Sequence, residues 1–560
     1  MTISPPAPVV LDVRGLRVAL PADADRPFAI ERLDLQIRAG QTLCIVGESG
    51  SGKSVLATTV MGLPSKGLSI SAGSISLAGE PLLAEGRYLP ERRLRQLRGA
   101  GMGMVFQEPM TALNPVLGCG EQVDEMLRTH TADGAAARRA AILATFERVR
   151  LPDPARIYAS YPHQLSGGQR QRIVIAMAMV LKPRLLICDE PTTALDVTTQ
   201  AEILKLIAEL QQEQSSAVLF ITHDMGVVAE IADEVLVMHR GAVVEKGRCA
   251  QVLRSPREAY TRLLLDAVPS MTPPAPRAPA AGKPLLVGDA VGKVYLRRDW
   301  LGRASRNSAL QGASVAVRRG ETVGVVGESG SGKSTLARCM IRLIDPSEGR
   351  VLWGDTEVQG LPEGRLRPLR SRVQVVFQDP NRSLNPRRTV GSSMVEGAMN
   401  FGMDAAQARK TAEELMDRIG LPRAALARYP HQVSGGQRQR LAIARAVACQ
   451  PQVLVADEAV SALDVSVQAQ ILDLLRELQR DLGLGILFIT HDLRVAAQLC
   501  DRVVVMQQGR IVEQGPTARV FAEPEHAYTR RLLSAAPRAE LATGATGAAC
   551  AAHAASVAAA

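Results

Sequence analysis

An acidic pair closes a short apolar run twice in this sequence: Asp189 and Glu190 follow RLLIC, and Asp457 and Glu458 follow QVLVA. The first carboxylate of such a pair can hold a divalent metal ion through water, and the second can orient or activate an attacking water. A phosphorylated substrate would suit this chemistry, and GESGSGKS occurs twice as well, at 47–54 and 327–334. Glycines in such a loop let backbone amides curl round phosphates at a helix N-terminus, and Lys53 or Lys333 adds a point charge. Ser54 or Ser334 then reaches Mg2+, alongside Asp189 or Asp457. The expected phosphate-binding residues are Gly47, Glu48, Ser49, Gly50, Ser51, Gly52, Lys53, Ser54 and Val55, with Gly327, Glu328, Ser329, Gly330, Ser331, Gly332, Lys333, Ser334 and Thr335 in the second copy.

A second anion-binding end stands apart from each loop. LSGGQ at 165–169 and VSGGQ at 433–437 place Ser166 and Ser434 as helix N-caps, ahead of Gln169 and Gln437. Gly167, Gly168, Gly435 and Gly436 let a charged ligand approach bare backbone. Neither phosphate loop requires this second terminus for itself. His223 and His491 follow Glu190 and Glu458 at one common interval, which favours a catalytic over a structural role.

These residues need strands and helices to hold them. TLCIV reads as a strand from Thr42 to Val46, followed by the glycine loop and a helix from Lys53. RLLICDE and AVLFITHD are apolar runs of strand length ending in charge, as expected of buried parallel strands with chemistry at their carboxyl ends. The whole pattern repeats: YPHQLSGGQRQR at 161–172 returns at 429–440 with one letter changed, and AYTRLLLDAVP at 259 is echoed by AYTRRLLSAAP at 527. At 560 residues the chain exceeds what one core serves, and a tandem duplication accounts for it. We expect a first domain over 1–268, a linker at 269–284, a second domain over 285–537 and an Ala-rich disordered tail at 538–560. Six prolines in the linker forbid a helix or central strand. Extended, it spans on the order of 50 Å and would let the halves face each other freely.

Phosphate loop, glutamine in VFQEPMTALNP (Gln107) or VFQDPNRSLNP (Gln378), SGGQ segment, acidic pair, ALD turn (Asp196, Asp464) and histidine occur in one order, twice. In this the chain resembles the ATP-binding subunits of ABC transporters, from about Leu11 to about Pro537. The resemblance implies an α/β fold of two tandem ABC-type P-loop ATPase domains, each with a RecA-like core, an antiparallel β subdomain and a helical subdomain. It implies ATP and Mg2+ as cofactors, with ATP held between one half's phosphate loop and the other half's SGGQ segment. Gln107 and Gln378 would sense Mg2+ and the membrane partner, His223 and His491 would touch the γ-phosphate, and Glu190 and Glu458 would act on water. An aromatic ring near each domain start would stack on adenine. Tyr295 fits, whereas the first half has Leu20, with Phe28 a substitute only if its loop folds back. Ala459 stands where a proline is usual, and little is expected to follow from it.

The GESGSGKSV and GESGSGKSTLAR loops, with DEPTTALDVTTQAEIL and SALDVSVQAQIL, are similar to the two ATPase types of peptide importers, here fused as in the chains that energise glutathione import. That resemblance implies two membrane permeases as partners, docked near 108–160 and 379–428, and through them a secreted solute-binding protein. It places the chain at the cytoplasmic face of the inner membrane, with di- or oligopeptides, glutathione, nickel and opine-like compounds all open as solutes. The alternative is a soluble tandem ATPase acting on ribosomes or nucleic acid. Such proteins carry a long charged helical linker, which 269–284 is not, and a net charge of +10 spread along the chain is a weak bias. A DNA-repair ATPase would show zinc pairs or heptad insertions. The eight cysteines form no C-x-x-C pair, and only Cys249 falls between His223 and Cys339, so no iron–sulfur cluster is expected. No secretory signal or spanning segment is read, since the longest uncharged apolar runs are about half the length a membrane helix needs.

Overall fold

The computed structural model describes residues 7–106, 112–193, 195–275, 277, 282–298, 304–461 and 463–536. Each half is built on a parallel sheet whose strands are apolar and buried along their length, as strands covered on both faces must be. In the first half the order is Met102–Val105, Leu185–Asp189, Ala217–Ile221, Thr42–Val46 and Glu234–His239, closed by antiparallel Ala242–Arg248. The second half repeats it with Val373–Val376, Val453–Asp457, Gly485–Ile489, Thr322–Val326, Arg502–Gln507 and Arg510–Pro516. The phosphate-loop strand and the acidic strand flank one common neighbour, so both reaction-bearing ends emerge at the same edge. Phe220 and Phe488 fill the sheet centre, and Cys44 and Cys188 are fully buried beside Phe220, as small hydrophobes.

An antiparallel layer flanks each phosphate loop in sequence, with strands both before and after it. Val9–Ala19, Phe28–Arg38 and Ser69–Leu77 form it in the first half, where a single bridge from Ala242 to Arg32 joins it to the parallel sheet. Leu286–Arg298, Ala304–Val317, Glu348–Trp353 and Thr356–Glu357 form a separate sheet of four strands in the second. The helical layers are Cys119–His130, Ala135–Arg148 and Pro154–Ala159, and later Val390–Asn400 and Ala405–Arg418. Each half thus has the three parts expected.

The linker departs from expectation. Gln498 Nε2 donates to the Ser270 and Thr272 carbonyls at 2.9 and 2.8 Å, Arg277 donates to Gln479 Oε1 at 2.6 Å, and Met271 packs on the second core. Proline removes N–H donors but leaves every carbonyl, so such a segment can still be held as an acceptor strand by side chains. Its described part is laid along the second half and does not swing free. The expected tail at 538–560 lies outside the described residues. Among the described residues no helix is long and apolar enough to cross a membrane.

Candidate functional site

Gly52 and Gly332 cap the helices Lys53–Val60 and Lys333–Met340 with φ of 104° and 103°, a left-handed conformation that favours glycine. A side chain there would also strike backbone, since an added Cβ would lie 2.5 Å from the Ala29 carbonyl or 2.7 Å from that of Ala309. The loop therefore wraps close to its own sheet. Lys53 Nζ donates to the Gly47 and Glu48 carbonyls at 2.7 and 2.9 Å, and Lys333 to those of Gly327 and Glu328 at 2.7 and 2.8 Å. Burial lowers the pKa of both amines while the neighbouring carboxylates oppose it.

Ser54 Oγ donates to Asp189 Oδ1 at 3.0 Å, and Ser334 Oγ to Asp457 Oδ1 at the same distance. A hydroxyl and a carboxylate oxygen beside a phosphate cradle form the hard-oxygen donor set that suits Mg2+. Glu190 and Glu458 lie one residue further on, at φ 47° and 49°. Burial raises the Glu190 carboxyl, but the hydrogen bond and charge of His223, with Lys53 and Thr193, outweigh it and hold it at about 2. His223 Nδ1 lies 3.4 Å from Glu190 Oε2, and His491 Nδ1 lies 3.5 Å from Glu458 Oε2. Burial depresses both imidazoles, yet the facing glutamates raise them net. Gln378 Nε2 donates to Glu458 Oε2 at 2.7 Å, whereas Gln107 lies outside the described residues. Thr193 Oγ1 donates to Glu190 Oε2 at 3.0 Å in the first half.

Ser166 and Ser434 are N-caps. Each accepts the N–H of Gln169 or Gln437 at 3.3 Å, while that glutamine's Oε1 accepts the serine N–H at 3.0 Å. Gly167 and Gly435 face open space. Gly168 and Gly436 have a different reason to be glycine: an added Cβ would come within 2.8 Å of Thr199 or 2.5 Å of Val467. They bring this helix against the helix that follows the ALD turn. Gln171 Nε2, buried on the same helix, donates to the Pro191 carbonyl at 2.6 Å. In the second half Gln439 is buried with its amide unpartnered, so the exchange of proline for Ala459 accompanies a local difference after all.

The halves meet at the ALD turns. The Asp464 carboxylate accepts the Ser49 backbone N–H, and Ser466 Oγ donates to Glu48 Oε1, so the second half reaches the first half's phosphate loop. Asp196 caps the helix Val197–Gln214 and lies near Lys333, and Val197 packs into the second core. At the centre Arg494 Nη1 and Nη2 donate to Asp224 Oδ1 and Oδ2, both at 2.9 Å, and Nη2 also lies 3.1 Å from Asp492 Oδ2. The acids follow His223 and His491 directly, and Gly226 occupies the first-half position equivalent to Arg494. Arg494 belongs to no local motif. Its trace in sequence is one of several differences between the segments that follow the two THD triplets.

Near the domain starts, Tyr295 stands exposed on its strand with Lys293 Nζ 5.5 Å from the ring centre. In the first half Leu20 N–H donates to the Pro27 carbonyl at 2.9 Å, closing the hairpin, Arg17 lies over the Phe28 ring, and Arg26 donates to the Gly50 carbonyl. Sequence reading missed Arg26, as it missed Tyr260 and Tyr528, whose hydroxyls accept the N–H groups of Glu48 and Glu328 at 3.3 and 3.0 Å.

Two glycine loops, each with a hydroxyl–carboxylate pair and a glutamate–histidine pair, and the first also bonded by the opposite half, define a tandem nucleotide-hydrolysing chain. The ABC transporter family model matches residues 30–193 and 310–461, and the model of the oligopeptide/dipeptide transporter C-terminal region matches 244–301 and 512–556. This chain belongs to the ABC transporter family and is an ATPase. It is 45% identical over 566 residues to the glutathione import ATP-binding protein of Escherichia coli (strain K12), across 95% of this chain and 90% of that protein. It is 44% identical over 560 residues to the protein of the same name from Salmonella paratyphi A, with the same coverage of 95% and 90%. Relatives matching nearly the whole chain leave no support for the ribosome or nucleic-acid alternative.

Proposed function

We propose that this chain is the ATP-hydrolysing, energy-coupling subunit of an importer for peptides of the dipeptide, oligopeptide or glutathione type. The names of its relatives and the match to the oligopeptide/dipeptide transporter region support that reading. The first domain ends near 268 and the second begins near 285, with the proline-rich segment between them. Two composite ATP sites form between the halves, and the observation that carries this is Asp464 and Ser466 of the second half seated on Ser49 and Glu48 of the first. ATP in each site lies against one half's phosphate loop and the other half's Ser166 or Ser434 helix start, while Tyr295 stacks on adenine in the second half's site.

Ser54 with Asp189, and Ser334 with Asp457, hold Mg2+, joined by Gln107 and Gln378. The bound ion offsets phosphate charge. The amides of the loop and Lys53 or Lys333 bind and orient the phosphates. Glu190 and Glu458, kept ionised by their histidines, accept the proton of a positioned water, and His223 and His491 reach the γ-phosphate. The chain works at the cytoplasmic face of the membrane with two permeases, which a secreted solute-binding protein loads.

Replacing both Glu190 and Glu458 by Gln tests this. ATP binding should persist while hydrolysis falls by roughly two or more powers of ten. Hydrolysis near the unmodified rate would remove the glutamates from the mechanism. Detergent-solubilised membranes should yield two permeases on the immobilised chain; nuclease-sensitive capture of ribosomes instead would sink the importer reading.

A further inference from the structure

The repeated Ala-Tyr-Thr segments at 259 and 527 lie outside the hydrolytic residue set. Each begins the last described helix of its half, Ala259–Asp266 and Ala527–Ala535. Those helices are seated at their entry turns by buried or partly buried carboxylates: Glu245 accepts the N–H groups of Arg257 and Glu258, and Glu513 those of Glu525 and His526. From that seat the tyrosine hydroxyl reaches the second residue of the phosphate loop, accepting the Glu48 N–H at 3.3 Å and the Glu328 N–H at 3.0 Å.

The peptide unit it grips is the one the loop lysine also grips. Glu48 N–H and the Gly47 carbonyl belong to one planar amide, and the carbonyl receives Lys53 Nζ at 2.7 Å. The second half repeats the arrangement, with Lys333 Nζ 2.7 Å from the Gly327 carbonyl. Each tyrosine and lysine therefore hold opposite ends of a single amide, and hydrogen bonds joined through one amide strengthen one another. The opposite half is also in reach. Helix Ala259–Asp266 packs on Val465–Leu482, and Ala527–Ala535 packs on Val197–Gln214. Burial pushes both phenols up to about 12, with Asp464 and Asp196 of the facing turns adding to it, so each hydroxyl keeps its proton at neutral pH.

Resting on the composite-site reading above, we propose that Tyr260 and Tyr528 are positioning residues. They fix the first amide plane of the phosphate loop, and thereby the loop lysine, in register with the opposite half's aspartate. With the amide released, the loop must be ordered when ATP binds, so the loss falls on binding more than on turnover.

The test uses the full chain with Tyr260→Phe, Tyr528→Phe and both, changes that keep the ring and delete only the hydroxyl. The double variant should raise KM for ATP roughly 3- to 10-fold, the worth of one or two hydrogen bonds, with kcat within about two-fold and an unchanged melting temperature. A role in packing alone would lower the melting temperature or kcat and leave KM in place. An unmoved KM, or a KM change matched by an equal loss in kcat, would overturn the proposal. Absence of ATP hydrolysis by the unmodified chain would instead overturn the reading on which it rests.

Discussion

Arg494 joins two aspartates that each follow a site histidine, and it has no counterpart in the first half. Its guanidinium, Asp224 and Asp492 are 11%, 17% and 21% exposed, so the bridge is mostly withdrawn from water. Arg494→Gln would leave two carboxylates facing each other across the halves with no cation. Breaking a buried pair from one side costs about 3 kcal/mol or more, and at about 1.4 kcal/mol per factor of ten that is roughly 150-fold. Because the bridge spans the halves, the loss should appear in kcat/KM for ATP and not in the fold of either half. Asp224→Asn is the matching change, since asparagine still caps the helix whose Gly226 N–H lies 2.8 Å from Asp224 Oδ1. Steady-state hydrolysis of the two single variants and the double gives a cycle, in which the double should lose far less than the product of the singles. Arg494→Lys should fall between, because an ammonium cannot pair both oxygens at once. If the singles combined additively within about 0.5 kcal/mol, the bridge would be a bystander.

In a chain cleared of native cysteines, Ser51→Cys with Val433→Cys should form a disulfide in the presence of Mg-ATP, and Ser51→Cys with Leu165→Cys should not. The bond needs Cα atoms within about 7 Å, so joining only within one half would refute the composite sites. Chelation by EDTA should abolish hydrolysis and added Mg2+ restore it, with Asp189→Asn and Asp457→Asn together raising the Mg2+ needed. Activity indifferent to chelation would exclude the proposed metal role. Glu190→Gln alone should lower hydrolysis by at least half and leave nucleotide binding unchanged; full hydrolysis would mean that the first site is silent.

The sequence made the phosphate loops legible because their geometry is local: strand Thr42–Val46, glycine turn and helix from Lys53 lie where the pattern puts them. Ser166 and Ser434 as N-caps were equally legible, since capping is decided within four residues. Contacts between remote segments were not. Tyr260 meets Glu48 across 212 positions and Arg494 meets Asp224 across 270, and no periodicity encodes either. The linker misled for a related reason, because proline content predicts what backbone cannot donate and is silent on which side chains will bind its carbonyls. Gly168 and Gly436 show the converse. Their type was anticipated on grounds of ligand approach, while the structure gives each a packing reason as well.

Glu190 and Glu458 occupy left-handed backbone at φ 47° and 49°, where a side chain costs on the order of 1 kcal/mol and glycine costs little. Each is also a half-buried carboxylate facing a histidine, and the pairing with that histidine and with the loop lysine favours its charged form. Glycine at either position would relax the backbone but leave the histidine and the lysine without their counter-charge. The strain is therefore held in place by the electrostatics of the site it serves. A lineage selected in the laboratory for heat resistance alone should keep both acids, and glycine taking over at either would mean that the strained turn costs more than the charge it carries returns.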